Sequence, residues 1–284
     1  MHLRSAPGKI LQSLGEFSYL TLDQIIALHY QEASRSYVRK EVKALLTAGL
    51  AMALPRATVT YPRLFTLTGD GQRVVAHVSG VATKRVRRSD EQDKGHNSYF
   101  VQHTIAITDV LIRAKLLSQA IPGIALHRLY VERELKRKIY VAPLRQDTEQ
   151  QRPCCLEPDA SLHFVTAGNI EDFFHLEIYR THLREERFKR KIRGYVAYIH
   201  STLHQQLFHT PALAIAFFCA TDPLAETLLR WTEEVLHDVG QEYIGERFFF
   251  RQIATAKTSP IEMYLAPVWE QPFSDTKTPL LVLE

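Results

Sequence analysis

An α/β (α+β) chain in two parts is what the residue pattern predicts: a small helical module closing on a β-hairpin, then a larger mixed-sheet domain. Three observations carry this. Apolar residues recur at helical spacing in three short segments before residue 48, and two short apolar stretches around prolines follow. From residue 99 onward helical stripes and strand-like runs follow the order α-β-β-β-α-β-α-β, the signature of a mixed α/β sheet. Charge divides in the same place: residues 1–100 hold 14 Lys and Arg against 8 Asp and Glu, and the remainder 21 against 23. A basic front on a near-neutral body suggests a polyanion-binding module joined to something else.

The first helix is expected over residues 9–19, with Ile10, Leu11, Leu14 and Phe17 inward. Thr21 and Gln24 form a capping-box pattern for the second, which buries Leu22, Ile25, Ile26 and Leu28 and ends near Tyr30. Ser34-Arg35-Ser36 offers the next N-cap. The third helix runs to about Ala48 and stops at Gly49, with Val38, Val42, Leu45 and Leu46 inward and Ser36, Arg39, Lys40 and Lys43 outward. Leu50–Leu54 and Arg63–Leu67, around Pro55 and Pro62, read as a hairpin, and Thr68-Gly69-Asp70-Gly71 opens a fourth helix through Val78. Three helices, a two-stranded wing and a closing helix make a winged helix-turn-helix over residues 1–80. In that fold the third helix enters the major groove and the wing touches the backbone. The candidate DNA contacts are therefore Arg35, Ser36, Arg39, Lys40 and Lys43, with Arg56 and Arg63 on the wing. The plain alternatives are a solvated charged face, or a winged helix used to dock a protein.

Residues 81–97, with Lys84-Arg85-Val86-Arg87-Arg88, read as a basic and polar linker. The second domain, 98–284, begins with a helix over Tyr99–Gln119 and a strand over Ile124–Glu134. A polar excursion fills Lys136–Arg152, and Leu156–Phe164 is a strand with Pro158 near its start. Phe173–Tyr179 is a strand, Leu183–His200 a helix, and Leu213–Ala220 a strand apolar enough for the middle of a sheet. Asp222-Pro223 starts an amphipathic helix, and Phe248–Ala254 is a late strand.

The composition excludes several classes. With 45% hydrophobic and 23% charged residues, the chain is neither disordered nor a collagen nor a coiled-coil rod. The longest apolar run, Ala212–Ala220, is far short of the ~20 residues of a membrane span, and no apolar stretch opens the chain as a secretion signal. Cys154, Cys155 and Cys219 form neither an even framework nor a CxxC zinc pattern, so a cytoplasmic location is expected. The 13 histidines are scattered; His163 and His175 can meet across strands, but ordinary hydrogen-bonded imidazoles are the simpler reading.

One constellation carries chemistry. Asp159 follows a proline at a strand start and Glu177 lies on the next strand. Two carboxylates on adjacent strands can share a Mg²⁺, with the Ile178 carbonyl as a third ligand. Such an ion polarises a phosphate and activates a water. A lysine usually stands two residues past the glutamate; here Tyr179 does. On a helical wheel Lys191 sits at the edge of the apolar face, about 60° from Phe188, with Lys189 on the other flank and neither clearly aimed at the carboxylates.

At these residues the chain resembles the PD-(D/E)XK nuclease-like superfamily. More closely it resembles the replication-relaxation family, which joins a winged helix to a restriction-endonuclease-like domain. The matching pieces are the winged helix, Val101-Gln102-His103-Thr104 with Asp109, and Glu157-Pro158-Asp159-Ala160. Phe174-His175-Leu176-Glu177-Ile178, Lys191-Ile192-Arg193-Gly194-Tyr195, the strand Ala214–Phe218 and Pro267-Val268-Trp269 also fit. Family members tend to carry an acidic residue where Tyr179 stands, followed by the arginine that Arg180 supplies. The resemblance implies a DNA-binding protein of a plasmid or other mobile element, acting in replication, relaxation or mobilisation control.

Three readings of Asp159 and Glu177 stay open. They are a working Mg²⁺ site of a DNA endonuclease with Lys191 assisting, a degenerate nuclease fold that only binds, or structural groups, Asp159 capping a turn and Glu177 pairing with Arg180 or Lys191. No cofactor is expected unless the site is active. His103 either faces the same cleft or hydrogen-bonds locally. The expected partner is double-stranded DNA, with replication or conjugation proteins and a homodimer as further options and no membrane.

Overall fold

The computed structural model describes residues 5–30, 35–56, 58, 60–79, 97–136, 138–143, 153–181, 184–253 and 258–283. It divides into two compact units, Met1–Ile112 and Arg113–Glu284.

The first unit holds α1 (Ala6–Phe17), α2 (Leu22–His29), α3 (Arg35–Thr47), β1 (Ala51–Ala53), β2 (Phe65–Leu67) and α4 (Gly69–Ser79). The expected capping box starts α2: the Thr21 side chain accepts from the Gln24 backbone N–H, and the Gln24 side chain accepts from the Thr21 backbone N–H. α3 ends in a Schellman motif, Leu50 N–H to Leu45 O and Gly49 N–H to Leu46 O, with Gly49 at φ +68°. β1 and β2 pair antiparallel, Ala51 opposite Leu67 and Ala53 opposite Phe65, and Leu20 bridges to Phe65 beside them. A Cβ on Gly71 would lie 1.9 Å from the Leu50 carbonyl oxygen, so only glycine lets α4 start this close to the end of α3.

The expected linker falls largely on residues 81–96, and with the Lys84–Arg88 run lies outside the described residues. α5 (Ser98–Ala120) follows, and the chain passes from one unit to the other within it. Its first half belongs with the first unit because Val101 packs with Leu54 and Leu64, joined by Phe100, Ile105, Tyr19 and Met52. The Gln24 amide also donates to the Ile105 carbonyl and to Asp109.

The second unit is built on a mixed five-stranded sheet of β3 (Ala125–Val131), β6 (Ala160–Val165), β7 (Glu171–Tyr179), β8 (Ala214–Cys219) and β9 (Phe248–Gln252), in that spatial order. The β3–β6 and β6–β7 pairs are antiparallel; β7–β8 and β8–β9 are parallel. β8 reads as an unbroken apolar run because both of its faces are covered, whereas β7, equally buried along most of its length, carries His175 and Glu177 among its apolar residues. Odd-numbered residues of β7 face α7 (Glu185–Ile199), α8 (Leu203–Phe208) and α9 (Asp222–Asp238), whose Phe188, Ile192, Tyr195, Leu228 and Val235 share one core with Phe173 and Phe217. On the other face Phe164 meets Tyr264, and Phe218 and Phe249 meet Trp269.

Three expectations are corrected here. The polar excursion 136–152 contains a strand, β4 (Ile139–Val141), paired with β5 (Cys154–Leu156) as a separate ribbon. The single strand expected over Leu156–Phe164 is two, β5 and β6, broken at Glu157-Pro158-Asp159 where the proline supplies no N–H to a ladder. The strand expected over Ile124–Glu134 stops at Val131, and Glu132–Leu135 turns into a short helix, α6. No helix among the described residues is long and apolar enough to cross a membrane.

Candidate functional site

Two sites come from the sequence, one in each unit. In the first, α3 presents Ser36, Arg39, Lys40 and Lys43 to solvent. At 100° per residue these four fall within about 100° of arc, opposite the buried Val38, Val42 and Leu45. None of Arg39, Lys40 and Lys43 has an ion-pair partner among the described residues. Arg35 differs: it pairs with Asp23 of α2, both half-exposed, so part of its charge is already matched. Arg56 and Arg63 are exposed in the segment joining β1 to β2. His103 lies in the same unit and stacks on Tyr99 with ring centroids 5.7 Å apart.

The second site is buried under α7. The break at Glu157-Pro158 between β5 and β6 leaves Asp159 beside β7: the Asp159 N–H donates to the Leu176 carbonyl at 3.0 Å, and the Asp159 carboxylate accepts from the Ile178 N–H at 2.7 Å. Glu177 points the opposite way from Leu176 and Ile178, into the core beneath α7, and is only 2% exposed. It does not stand alone. Lys191 donates to one of its carboxylate oxygens and the Tyr195 hydroxyl to the other. The Lys191 Nζ also sits over the Tyr179 ring, 5.8 Å from its centroid.

The helical wheel left Lys191 aimed clearly at nothing; here it reaches Glu177. The reason is length. A lysine at the edge of an apolar stripe lays its methylenes along the core and swings its ammonium inward or outward. Lys189, on the other flank, pairs with Glu185 and Glu234 instead. Tyr195 is the member the sequence reading missed. It stands one helical turn after Lys191, on the same face as Phe188 and Ile192, and a fully buried tyrosine hydroxyl needs a partner. That spacing is the signal that was available.

The electrostatics follow from burial. Burial pushes the Glu177 carboxyl up to about 7; the Lys191 ammonium pulls it down, and Asp159 pushes it up again. Burial works to lower the Lys191 pKa, yet Glu177, Tyr179 and Asp159 together carry it above the usual lysine value. The shared proton therefore belongs to Lys191. Burial raises the hydroxyls of Tyr179 and Tyr195 as well, so both stay protonated, and the Tyr195 hydroxyl is the donor to Glu177.

The donor set decides what this cluster can hold. Mg²⁺ is bound by one or two carboxylates that leave room for several waters. Here both oxygens of Glu177 are occupied, the carboxylate is 2% exposed, and the cation it meets is an ammonium of the chain itself. In this arrangement the residues do not fit a hydrated divalent ion. Among the described residues no three His, Cys, Asp or Glu side chains are gathered to hold a metal. His163 and His175 point to the same face of the sheet but take separate partners. The His163 Nε2 lies 3.7 Å from Glu171, and the His175 Nδ1 lies 2.6 Å from the Ser161 hydroxyl. Burial holds His175 well below the usual imidazole pKa and His204, beside it, at about 4.

The fold and these two sites define a two-unit protein with a basic helix in front and a mixed α/β sheet carrying a buried carboxylate–lysine pair behind. The sequence profile of the replication-relaxation family matches residues 11–210, a span that includes α3, Asp159, Glu177 and Lys191. The chain belongs to the replication-relaxation family. That membership supports a role connected with the replication or mobility of DNA. No curated protein and no solved structure matches the chain.

Proposed function

We infer that this protein binds duplex DNA of a plasmid or mobile element through α3 and the hairpin of a winged helix, and that its second unit is a nuclease-like fold that does not cut. The observation that carries the reading is the α3 face: Arg39, Lys40 and Lys43 are exposed, lie on one side of the helix, and meet no carboxylate among the described residues. A cationic stripe on the third helix of such a module is the electrostatic footprint of phosphate contact. The order of three helices, hairpin and fourth helix supports the winged-helix assignment. The occupied Glu177 carboxylate supports a second unit that binds without hydrolysis. Family membership supports replication or mobilisation control as the setting.

Binding measured by anisotropy on a labelled duplex tests this. If three phosphate contacts are lost in R39A/K40A/K43A, the salt slope falls by about 2.7, and affinity between 50 and 200 mM salt varies about 40-fold less than in the native chain. An unchanged slope would refute the α3 interface.

The endonuclease reading has one specific observation in its favour: Asp159, Glu177 and Lys191 are brought together. Supercoiled plasmid incubated with Mg²⁺ or Mn²⁺ separates the two. Our reading expects no nicking; nicking that vanishes in D159A and E177A would replace it.

A further inference from the structure

Helix α7 treats its basic residues in two ways. Those turned toward the protein are each matched: Lys189 by Glu185 and Glu234, Lys191 by Glu177, and Arg193 by Asp238 at 3.9 Å. Those turned outward, Arg184, Arg187 and Arg190, are exposed and have no carboxylate at ion-pair distance among the described residues. Arg184 is the N-cap residue, just before the first helical turn, and Arg187 and Arg190 follow at three-residue intervals, so the three spread over about a third of the helix circumference.

This arrangement works against the helix on two counts. Like charges at three-residue spacing on a helix are neighbours and repel. Cations near a helix N-terminus also oppose the macrodipole, which favours negative charge there. Glu185 and Glu186 in the first turn offset the dipole, but Glu185 is committed to Lys189. A polyanion laid along the face would relieve both conflicts. Arg184 to Arg190 spans about 9 Å along the axis at 1.5 Å per residue. That length matches two to three charges of one nucleic-acid strand at about 3.4 Å each. The apolar face of α7 is spent on the core through Phe188, Ile192 and Tyr195, so this helix has nothing to insert into a bilayer.

We propose that Arg184, Arg187 and Arg190 form a second phosphate-binding face, by which the α/β unit grips the DNA backbone independently of α3. Arg187 and Lys191 are about 40° apart on the wheel, so the face borders the Glu177–Lys191 pair. Lys191 occupies the Glu177 carboxylate while the arginines beside it take the strand. The proposal rests on the DNA-binding reading above and adds a second contact to it.

The test is the salt dependence of duplex binding by the full chain and three variants. R184Q/R187Q/R190Q is expected to lower the slope of log K against log salt by about 2–3. Its melting temperature should stay the same or rise slightly. The same triple added to R39A/K40A/K43A should lower the slope that the α3 variant retains by about 2–3 more, leaving the hairpin contacts of Arg56 and Arg63. K136Q/K138Q/R230Q removes equal charge from exposed positions elsewhere in the unit and should change the slope by less than half as much. A native slope in the α7 variant, or an equal loss in the charge control, would overturn the second face while leaving the α3 interface intact. A native chain that fails to bind duplex at low salt would instead overturn the DNA-binding reading itself, and this proposal with it.

Discussion

Helices α3 and α7 carry the same kinds of residue and use them in opposite ways. On α3 the charges face water and the buried residues, Val38, Val42 and Leu45, are all apolar. On α7 a lysine is drawn into the core to meet Glu177, and the helix is held partly by that pair. Charges left in water cost the fold little and remain available to a partner. A charge taken inside has to be matched, and once matched it is no longer available to a ligand or a metal. The comparison explains why we assign recognition to exposed arginines and lysines, and architecture to Glu177 and Lys191.

The sharpest way to break the comparison is to remove one member of the buried pair. Lys191→Met leaves a buried, unmatched carboxylate and should cost about 3–5 kcal/mol in chemical denaturation. Glu177→Gln/Lys191→Met, which removes both charges and keeps a partner for the Tyr195 hydroxyl, should recover most of that loss. If the single variant is as stable as the native chain, the pair is not architectural. A second large effect belongs to the first unit. Gly71→Ala drives a methyl into the Leu50 carbonyl and should lower stability by about 1–3 kcal/mol, read from the denaturation midpoint.

The buried groups also predict opposite pH responses. Glu177 holds its proton more tightly folded than unfolded, so its contribution is greatest below its ordinary 4.5 and is lost as pH rises through about 7. His204 is the reverse: its folded value near 4 lies below the ordinary 6.5, so its contribution is present above 6.5 and is lost as pH falls toward 4. His175 acts in the same direction as His204. His204→Gln should therefore flatten the loss of stability between pH 6.5 and 4 in a series of thermal melts; an unchanged profile would mean the imidazole is charged in the fold. The smallest effect sharpens the other side of the comparison. R39A/K40A/K43A should leave stability within about 0.5 kcal/mol, as surface changes do, while weakening DNA binding.

Local chemistry was the legible part of this sequence. Thr21 with Gln24, the Gly49 stop, the Asp222-Pro223 helix start and the central strand at Ala214–Cys219 each declare themselves within a few residues. What escaped depended on partners distant in the chain. Ile139–Val141 reads as part of a polar loop until Cys154–Leu156 pairs with it. Gln24 looked like a cap and is one, yet its amide also ties α2 to Asp109. The candidate site was half legible: Asp159 after a proline at a strand start and Glu177 on the next strand single themselves out. The sequence offers Glu177 either Arg180 or Lys191 as its partner and does not decide between them, because a flexible side chain at the margin of an apolar stripe is placed by whatever charge lies beneath it.

The central claim is that this chain holds DNA by exposed cations and leaves it whole. One titration tests it most directly: the full chain against a labelled duplex at low and physiological salt with Mg²⁺ present, the DNA then run on a denaturing gel. The account predicts binding that weakens steeply with salt and DNA recovered intact. Binding indifferent to salt, or strands recovered cut, would contradict it.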